Sequence, residues 1–531
     1  MVQGICENTI SQTLLEQYMT LTLSPQQAAV ENFILHETGS ANVIARAGTG
    51  KTLTLTRGGI KAIAVNNLGS AAIMAFNKSA AVEFQERIDM LDCDTSMVQS
   101  GTVHSFGFAA VRKWAGRKRW KAFGGKVWKI CKNLAEKDAI ETDKSIYTTQ
   151  KGAIMRLVSL GKQTGIGFTH SIDDHAAWHN LMDQHSIEPK QDIGSDTIIR
   201  AAITVMKESI EQNRHTIDFD DMIFMPLYHN ITMPQFDFVL IDEAQDTNPA
   251  RRALALKMLK PGGRMIAVGD DRQAIYGFTG ADADALDLIA SEVNAINLPL
   301  TVTYRCPKAV VREANRIVPD LEAHPDAPEG IVRTVKYHSD TEGHFFHSEG
   351  LNETDGVICR NVAPLMELAY SLMAAKKGVK VEGKDIGKNL IDLIQRFKAR
   401  DLSSLVDCLN DWKESEVQKW QAKERYNLAQ SAEDRASAIT YVALSLIHDG
   451  KSDVSDLVNF IKDLFDQKKS NVITLTTIHK AKGREWERVY FLHRAKTIPS
   501  KWAKKAWEKE QEANLEYVGI TRAESELIYV D

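Results

Sequence analysis

The chemistry-bearing residues of this chain come in three strings, and the first is a phosphate cradle. Ala45-Arg46-Ala47-Gly48-Thr49-Gly50-Lys51-Thr52 follows the apolar run Asn42-Val43-Ile44 and leads into Leu53-Thr54-Leu55-Thr56. It reads as a buried strand, a glycine-bearing turn and the first turn of a helix. The backbone from Ala47 through Gly48, Thr49 and Gly50 can turn its N–H groups onto an anion, and the helix start adds a favourable dipole. Lys51 can reach β- and γ-phosphates, and Thr52 can hold Mg²⁺. The expected ligand is a nucleoside triphosphate. Ala45 departs from the general pattern, which carries glycine at that place.

The second string supplies carboxylates. Phe238-Val239-Leu240-Ile241 reads as a strand ending in Asp242-Glu243-Ala244-Gln245-Asp246. Asp242 is placed to hold Mg²⁺ through water and Glu243 to orient and deprotonate an attacking water. A bare Asp-Glu pair is common, and only the upstream phosphate loop makes it specific. The third string, Gly269-Asp270-Asp271-Arg272-Gln273, ends another apolar run, Met265 to Val268, and precedes Tyr276 and Phe278.

Positioning these loops takes an open, mostly parallel α/β sheet with its ligand at the carboxyl ends of the strands. Ala71 to Phe76 supplies a further strand, feeding a helix from Ser79 to Ile88, and Thr102 to Phe106 reads as a polar loop. Ser24-Pro25-Gln26 reads as a capped helix start. Gln26 is either a surface residue or, so close to the phosphate loop, a reader of the adenine edge. Asp218-Phe219-Asp220-Asp221 is either a metal site or an acid-rich helix N-terminus, and the second reading is preferred.

From Arg112 to Lys132 the chain carries nine cations, Lys118, Arg119 and Lys126 among them, and no acid, interleaved with Trp114, Trp120, Phe123 and Trp128. Cations neutralise phosphates while aromatic faces stack on bases, so this segment reads as a nucleic-acid surface. The plainer reading is a solvated helical face whose tryptophans belong to the core. A net charge of −5 argues against a globally basic coat protein. Six scattered cysteines without a C-x-x-C pair indicate neither a zinc site nor an iron–sulfur cluster. With neither a signal-like start nor a membrane-length apolar run, a cytoplasmic protein is expected, nucleoid-associated or nuclear where its partner is.

Together these motifs resemble the superfamily-one DNA helicases of the UvrD/Rep/PcrA type, as islands from about Gln26 to Ala523, and most closely its compact, F-box-type or phage- and plasmid-borne members. Alanine at the head of the phosphate loop is usual there, Asp242 to Asp246 matches the family's D-E-x-Q-D box, and Val268 to Ala281 matches its glutamine-bearing motif. The resemblance implies two RecA-like P-loop motor domains with mostly helical inserted accessory domains. It implies ATP and Mg²⁺ as cofactors, with Gln273 sensing the γ-phosphate and Tyr276 lying on the adenine. Phe76, Thr102, His104, Phe106 and Phe278 are implied as DNA contacts, with core packing the alternative for Phe76 and Phe106.

In the second half, Thr303-Tyr304-Arg305 and Asn514 to Ala523 resemble the motifs whose arginines, here Arg305 and Arg522, reach the γ-phosphate. Thr476 to Trp486 resembles T-x-H-x-x-K-G-L-E, which implies Glu485 near the ribose and Thr477, His479 and Lys482 near DNA or the coupling interface. Two residues depart from the pattern: Thr279 stands where arginine is usual, and Arg484 where leucine is. Between Arg305 and Thr476 only a reduced accessory domain is expected, with a helix from Leu405 to Arg425, and no nuclease is expected after Arg522.

The expected organisation is a first motor domain over 1–105 and 214–285, a helical insertion with the basic segment over 106–213, a second motor domain over 286–390 and 470–531, and the reduced insertion over 391–469. The leading expectation is an ATP-driven motor, monomeric and without a membrane, that moves 3′ to 5′ on single-stranded DNA and opens duplex at single-strand/duplex junctions. A translocase that strips proteins from DNA or works as a subunit, and an ATP-gated DNA-binding or signalling module, are the alternatives.

Overall fold

A computed structural model describes residues 22–116, 121–138, 145–185, 187–189, 193–212, 216–275, 284–336 and 350–531. The chain divides into two units. The first takes it to Leu300 without Arg46–Thr49 and Arg272–Ile275, and these two short stretches group with the second unit, Thr301–Asp531.

In the first unit, β1 (Ala41–Ala45), β2 (Ala71–Ala75), β3 (Val98–Thr102), β4 (Phe236–Ile241), β5 (Leu259–Gly269) and β6 (Ile296–Leu300) form one sheet in the order β3-β2-β4-β5-β1-β6. Every neighbouring pair is parallel. Period-two alternation explains why the central strands are apolar throughout: both faces are covered. Ala72, Met74, Val239 and Ile241 point into one core, and Ala71, Ile73, Ala75 and Leu240 into the other.

Helices α1 (Pro25–His36) and α2 (Lys78–Asp89) cover the second face through Val30, Phe33, Phe84 and Ile88. The first face takes α3 (Val103–Ala115). Here the sequence reading is corrected, because Thr102 to Phe106 is no loop. Thr102 ends β3 and caps α3, its Oγ1 accepting from the Ser105 N–H at 3.1 Å, and Phe106 packs inward from the first turn. Four further helices, α4 (Lys126–Asp138), α5 (Lys151–Thr164), α6 (His175–Gln184) and α7 (Ser195–Gln212), enclose their own core of Ile130, Ile154, Leu157, Trp178, Ile198 and Val205. The chain returns to the sheet through α8 (Asp221–Tyr228), and α9 (Pro249–Lys257) follows β4.

The second unit repeats the plan. Strands β7 (Ile331–Val335), β8 (Gly356–Cys359), β9 (Val379–Val381), β10 (Ile473–Thr477), β11 (Trp486–Leu492) and β12 (Ala523–Val530) run in the order β7-β12-β11-β8-β10-β9, again all parallel. Helices α10 (Val362–Ala374), α11 (Lys384–Phe397), α12 (Leu402–Ala422), α13 (Tyr426–His448), α14 (Val454–Leu464) and α15 (Ala506–Ile520) complete it. The helix expected from Leu405 to Arg425 is α12, started earlier by a capping box on Asp401. Leu390, Leu405, Leu409, Ile439, Val442 and Leu457 share a single core with Val357, Leu475 and Tyr490 of the sheet. The helices between β9 and β10 are therefore packed onto this unit's sheet. The fold is the expected pair of RecA-like α/β domains with helical additions. Among the described residues no helix is long and apolar enough to cross a membrane.

Candidate functional site

All six strands of the first sheet are parallel, so the loops after β1, β2, β3, β4 and β5 leave at one edge. That edge gathers the chemistry. Gly48 and Gly50 sit at φ of 72° and 81°, the left-handed backbone that glycine adopts without penalty, and Lys51 opens the helix that follows. At Gly50 a side chain would strike the amide nitrogen of Gln27, which lies 2.7 Å from where a Cβ would be. This identifies a residue the sequence reading missed. Gln27, not Gln26, is buried against the loop, and Gln26 is half-exposed. Gln27 is oriented by a capping box: the Ser24 N–H donates to Gln27 Oε1 at 3.0 Å, and the Gln27 N–H to Ser24 Oγ at 3.2 Å. The S-x-x-Q spacing was the available signal.

Lys51 Nζ lies 2.8 Å from Glu243 Oε1. Burial alone would lower its ammonium, but Glu243, Asp270 and Asp242 outweigh burial and hold it above its ordinary value. Burial and the neighbouring Glu243 push Asp242 up to about 7. Its Oδ1 is buried with no hydrogen-bond partner. Glu243 is a non-glycine residue held at φ 50°, the kind of backbone strain found at active sites. Gln245 holds it by donating from Nε2, and accepts the Asp270 N–H on Oε1 at 3.0 Å, so one amide ties the ends of β4 and β5. A cradle for phosphates beside a buried, unsatisfied carboxylate fits ATP with Mg²⁺. Mg²⁺ is usually held by one or two carboxylates plus phosphates and water, and among the described residues no group of three or more His, Cys, Asp or Glu side chains forms a metal cage.

Beside this edge, the ends of β2 and β3 build an aromatic wall. The Arg251 guanidinium lies over the Phe76 ring at 5.0 Å, and His104 stacks on Phe219 at 4.0 Å. Phe219 is 60% exposed, and burial followed by Arg251 lowers the His104 imidazole to about 4. His104, Phe219, Asp220, Gln163, Asn248 and Arg251 line a cavity of about 160 Å³. Phe219 and Arg251 were not singled out in the sequence, where Phe219 shows only as an aromatic among acids. Phe106, by contrast, is 6% exposed and meets Phe236 edge-on in the core.

The basic segment divides. Trp114, Phe123 and Trp128 are exposed, as are Arg112, Lys113, Lys129 and Lys132, and Lys151 lies over the Trp128 ring at 5.5 Å. Lys126, counted with them in the sequence, is instead 1% exposed and pairs with Asp221 at 2.6 Å. Lys162 pairs with Asp218 and Asp221, each at 2.8 Å. The acid string is thus part of a buried ion-pair knot at the start of α8. Lys118, Arg119, Trp120, Tyr276, Phe278 and Thr279 lie outside the described residues.

In the second unit, Arg305 donates from Nε to Glu485 Oε2 at 2.6 Å. Arg522 is buried, its guanidinium donating to the Val518 carbonyl at 2.9 Å, the Arg484 carbonyl at 3.1 Å and Thr521 Oγ1 at 3.1 Å. Burial and the nearby Arg305 lower it to about 10. The Arg46–Thr49 stretch belongs to this unit. The Ala47 N–H donates to Tyr517 Oη at 2.9 Å, the Tyr304 N–H to the Gly48 carbonyl at 2.8 Å, and Arg46 pairs with Asp320 at 2.8 Å. Tyr304, half-exposed beside Gly48, offers an aromatic face that the sequence reading passed over. Lys482 Nζ donates to the carbonyl of the buried Gln273 at 2.8 Å. Thr477 is buried at the N-terminus of the short helix Ile478–Ala481, and burial and Arg360 hold the His479 imidazole at about 3.

Fold and site define a P-loop protein, with parallel α/β sheets and a phosphate cradle beside a strand-end Asp-Glu pair. Residues 24–294 match the UvrD/REP helicase N-terminal domain and residues 395–530 the UvrD-like helicase C-terminal domain. The chain belongs to the UvrD/REP helicase family. Over 357 residues it is 26% identical to ATP-dependent DNA helicase UvrD1 of Mycobacterium leprae, a match covering 60% of this chain and 43% of that protein. A probable DNA helicase II homolog of Mycoplasma genitalium is 23% identical over 91% of this chain and 81% of its own length. F-box DNA helicase protein 1 of Schizosaccharomyces pombe is 27% identical over 58% and 36%. The chain spans less than half the length of the UvrD1 relative.

Proposed function

We propose that this chain is an ATP-driven DNA helicase that moves 3′ to 5′ on single-stranded DNA and opens duplex at single-strand/duplex junctions. The observation that carries the reading is the pairing of Lys51 with Glu243 beside the unsatisfied carboxylate of Asp242, on the same sheet edge as the Phe76, His104 and Phe219 wall. Nucleotide chemistry and base stacking then share one rigid platform.

In this reading Lys51 neutralises the β- and γ-phosphates, which the N–H groups of the Ala47–Thr52 turn hold in place. Thr52 and Asp242 hold Mg²⁺, which when bound draws charge from the phosphates. Glu243, fixed by Gln245, accepts a proton from the attacking water. Arg305 and Arg522 stabilise the charge on the γ-phosphoryl group, as arginines do in related phosphoryl transfer. Gln27 holds the base, Glu485 lies near the ribose, and Gln273, through Lys482, carries the nucleotide state toward Thr477 and His479. Phe76, Thr102, His104 and Phe219 hold the strand, with Arg112, Lys113, Lys129 and Lys132 toward duplex. The motor domains span 1–105 with 214–300 and 301–390 with 470–531, since residues 286–300, expected in the second domain, carry a strand of the first sheet, and the protein works as a cytoplasmic monomer.

A second reading is a translocase that displaces proteins and unwinds poorly. The core that α11 to α14 share with their sheet favours it, since these helices form no separate lobe. DNA-stimulated ATP hydrolysis and strand separation on 3′-tailed and 5′-tailed duplexes decide the matter. Hydrolysis indifferent to DNA leaves an ATP-gated module; hydrolysis without strand separation leaves the translocase; separation of 5′-tailed substrates alone overturns the polarity.

A further inference from the structure

Arg484 and Glu485 stand side by side at the end of a tight turn closed by the Arg484 N–H donating to the Ala481 carbonyl at 3.0 Å. Each of the two holds a different arginine. The Arg484 carbonyl accepts from Arg522 Nη1 at 3.1 Å, and the Glu485 carboxylate pairs with Arg305. The next residue continues the grip, with the Trp486 N–H donating to the Arg522 carbonyl at 3.0 Å. Three consecutive residues thus fix the orientation of both guanidinium-bearing residues.

The Arg484 side chain leads away from these arginines and pairs with Glu382 Oε1 at 2.8 Å. An ion pair between two exposed groups would contribute little. This one is asymmetric, for the Arg484 side chain is half-exposed while that of Glu382 is 6% exposed. Burial pushes the Glu382 carboxyl up, and Arg484, Lys380, the Thr476 hydroxyl and Lys480 oppose that push. Glu382 follows β9 directly, its N–H donating to the Leu475 carbonyl at 2.9 Å, next to the start of α11. Lys480, from the same segment as the turn, reaches Asp385 of α11 at 3.2 Å. The turn is anchored to a carboxylate at the edge of the sheet.

We propose that Arg484 is a positioning residue for ATP hydrolysis, its ion pair with Glu382 holding the 481–486 turn so that Arg522 and Arg305 are presented together to the γ-phosphate. This rests on the nucleotide reading above. Leucine in this place would keep the chain path and lose the anchor, leaving the carboxylate of Glu382 buried with weaker compensation. The arginines would then be displaced by fractions of an ångström, enough to weaken transition-state contacts.

The test uses the full chain and two readouts: dissociation constants for ADP and for a non-hydrolysable ATP analogue, and steady-state hydrolysis. Arg484→Leu and Glu382→Gln are each expected to lower kcat and the preference for the analogue over ADP by on the order of ten-fold. ADP affinity should stay near wild type in both, and the melting temperature should stay near wild type in Glu382→Gln, which leaves no charge buried. Arg484→Lys should restore most of the loss, and the double variant should be no worse than Arg484→Leu, because both changes break one link. Wild-type preference and kcat in Arg484→Leu would overturn the proposal, as would equal losses of ADP and analogue binding. A wild-type chain that binds neither nucleotide would overturn the nucleotide reading itself, an outcome distinct from either.

Discussion

Two buried lysine–carboxylate clusters lie in the first unit, and their pairing differs. In the knot at the start of α8, Lys126 and Lys162 pair with Asp218 and Asp221, each of these carboxylates has a lysine within 2.8 Å, and Asp220 beside them is held by Ser159 and Gln163. At the phosphate loop Glu243, Asp242 and Asp270 all act on the one buried Lys51, and Asp242 keeps a buried oxygen without a hydrogen-bond partner. Buried charge is tolerated when it is paired, so the paired cluster holds the fold together. In the other, the unpartnered oxygen of Asp242 is where the proposed function puts Mg²⁺. No lysine of either cluster lies beside its carboxylates in the sequence, so the difference in pairing shows only in the fold.

The largest expected effect tests the scaffold half. Lys162→Met should cost about 3–5 kcal/mol of unfolding free energy, because it leaves Asp218 and Asp221 buried with one lysine between them. Urea denaturation measures it. A loss no larger than for an exposed lysine would break the comparison.

Lys51→Ala comes next and has the opposite profile. DNA-stimulated ATP hydrolysis should fall by about 10²- to 10³-fold, the scale of losing one preorganised charge at a developing anion. The denaturation midpoint should move less than in Lys162→Met, since Glu243 is partly exposed and can rehydrate. A large destabilisation with residual hydrolysis would exchange the roles of the two clusters.

The knot also shapes the strand-binding wall. Phe219 sits between Asp218, held by Lys162, and Asp220, held by Ser159 and Gln163, so it is presented outward with little freedom. Phe219→Ala should weaken single-stranded DNA binding by about 1–3 kcal/mol, the usual worth of one base–aromatic stack. Fluorescence anisotropy with a labelled oligonucleotide checks this at fixed salt. Unchanged affinity would leave the knot a purely structural device.

How much of this was legible in the sequence follows from how local each signal is. The phosphate loop, the strand ending in Asp242 and Glu243 and the parallel sheet depend on contiguous strings, and each was readable. Gln27 was one residue away because the capping box, not the glutamine itself, decides which side chain faces the loop. Thr102 to Phe106 looked like a loop because a cap and a helix start are polar, while the packing of Phe106 on Phe236 that makes them a helix comes from residues far along the chain. Lys126 was counted with a surface patch because a run of cations does not reveal which one meets a buried aspartate. The pair of Arg484 with Glu382 is of the same kind, a contact between distant segments that no spacing announces.

The smallest effect is the most discriminating. Burial and Glu243 raise the Asp242 carboxyl to about 7, well above the range of an exposed aspartate. Between that range and about 7 the folded chain keeps a proton that the unfolded chain releases. By linkage, stability then falls as pH rises through the window, the reverse of the knot, where Lys162 and Lys126 hold Asp221 below its ordinary value against its burial. In magnesium-free buffer, Asp242→Asn should therefore raise the melting temperature by a few degrees, about 1–2 kcal/mol, at pH 8 and by less at pH 5. Asp221→Asn should lower it at both. Added Mg²⁺ should close the gap at pH 8 between wild type and Asp242→Asn, because the cation offsets the same repulsion that the substitution removes. An Asp242→Asn chain destabilised like Asp221→Asn would mean that the phosphate-loop cluster is paired after all, by a partner other than a metal ion.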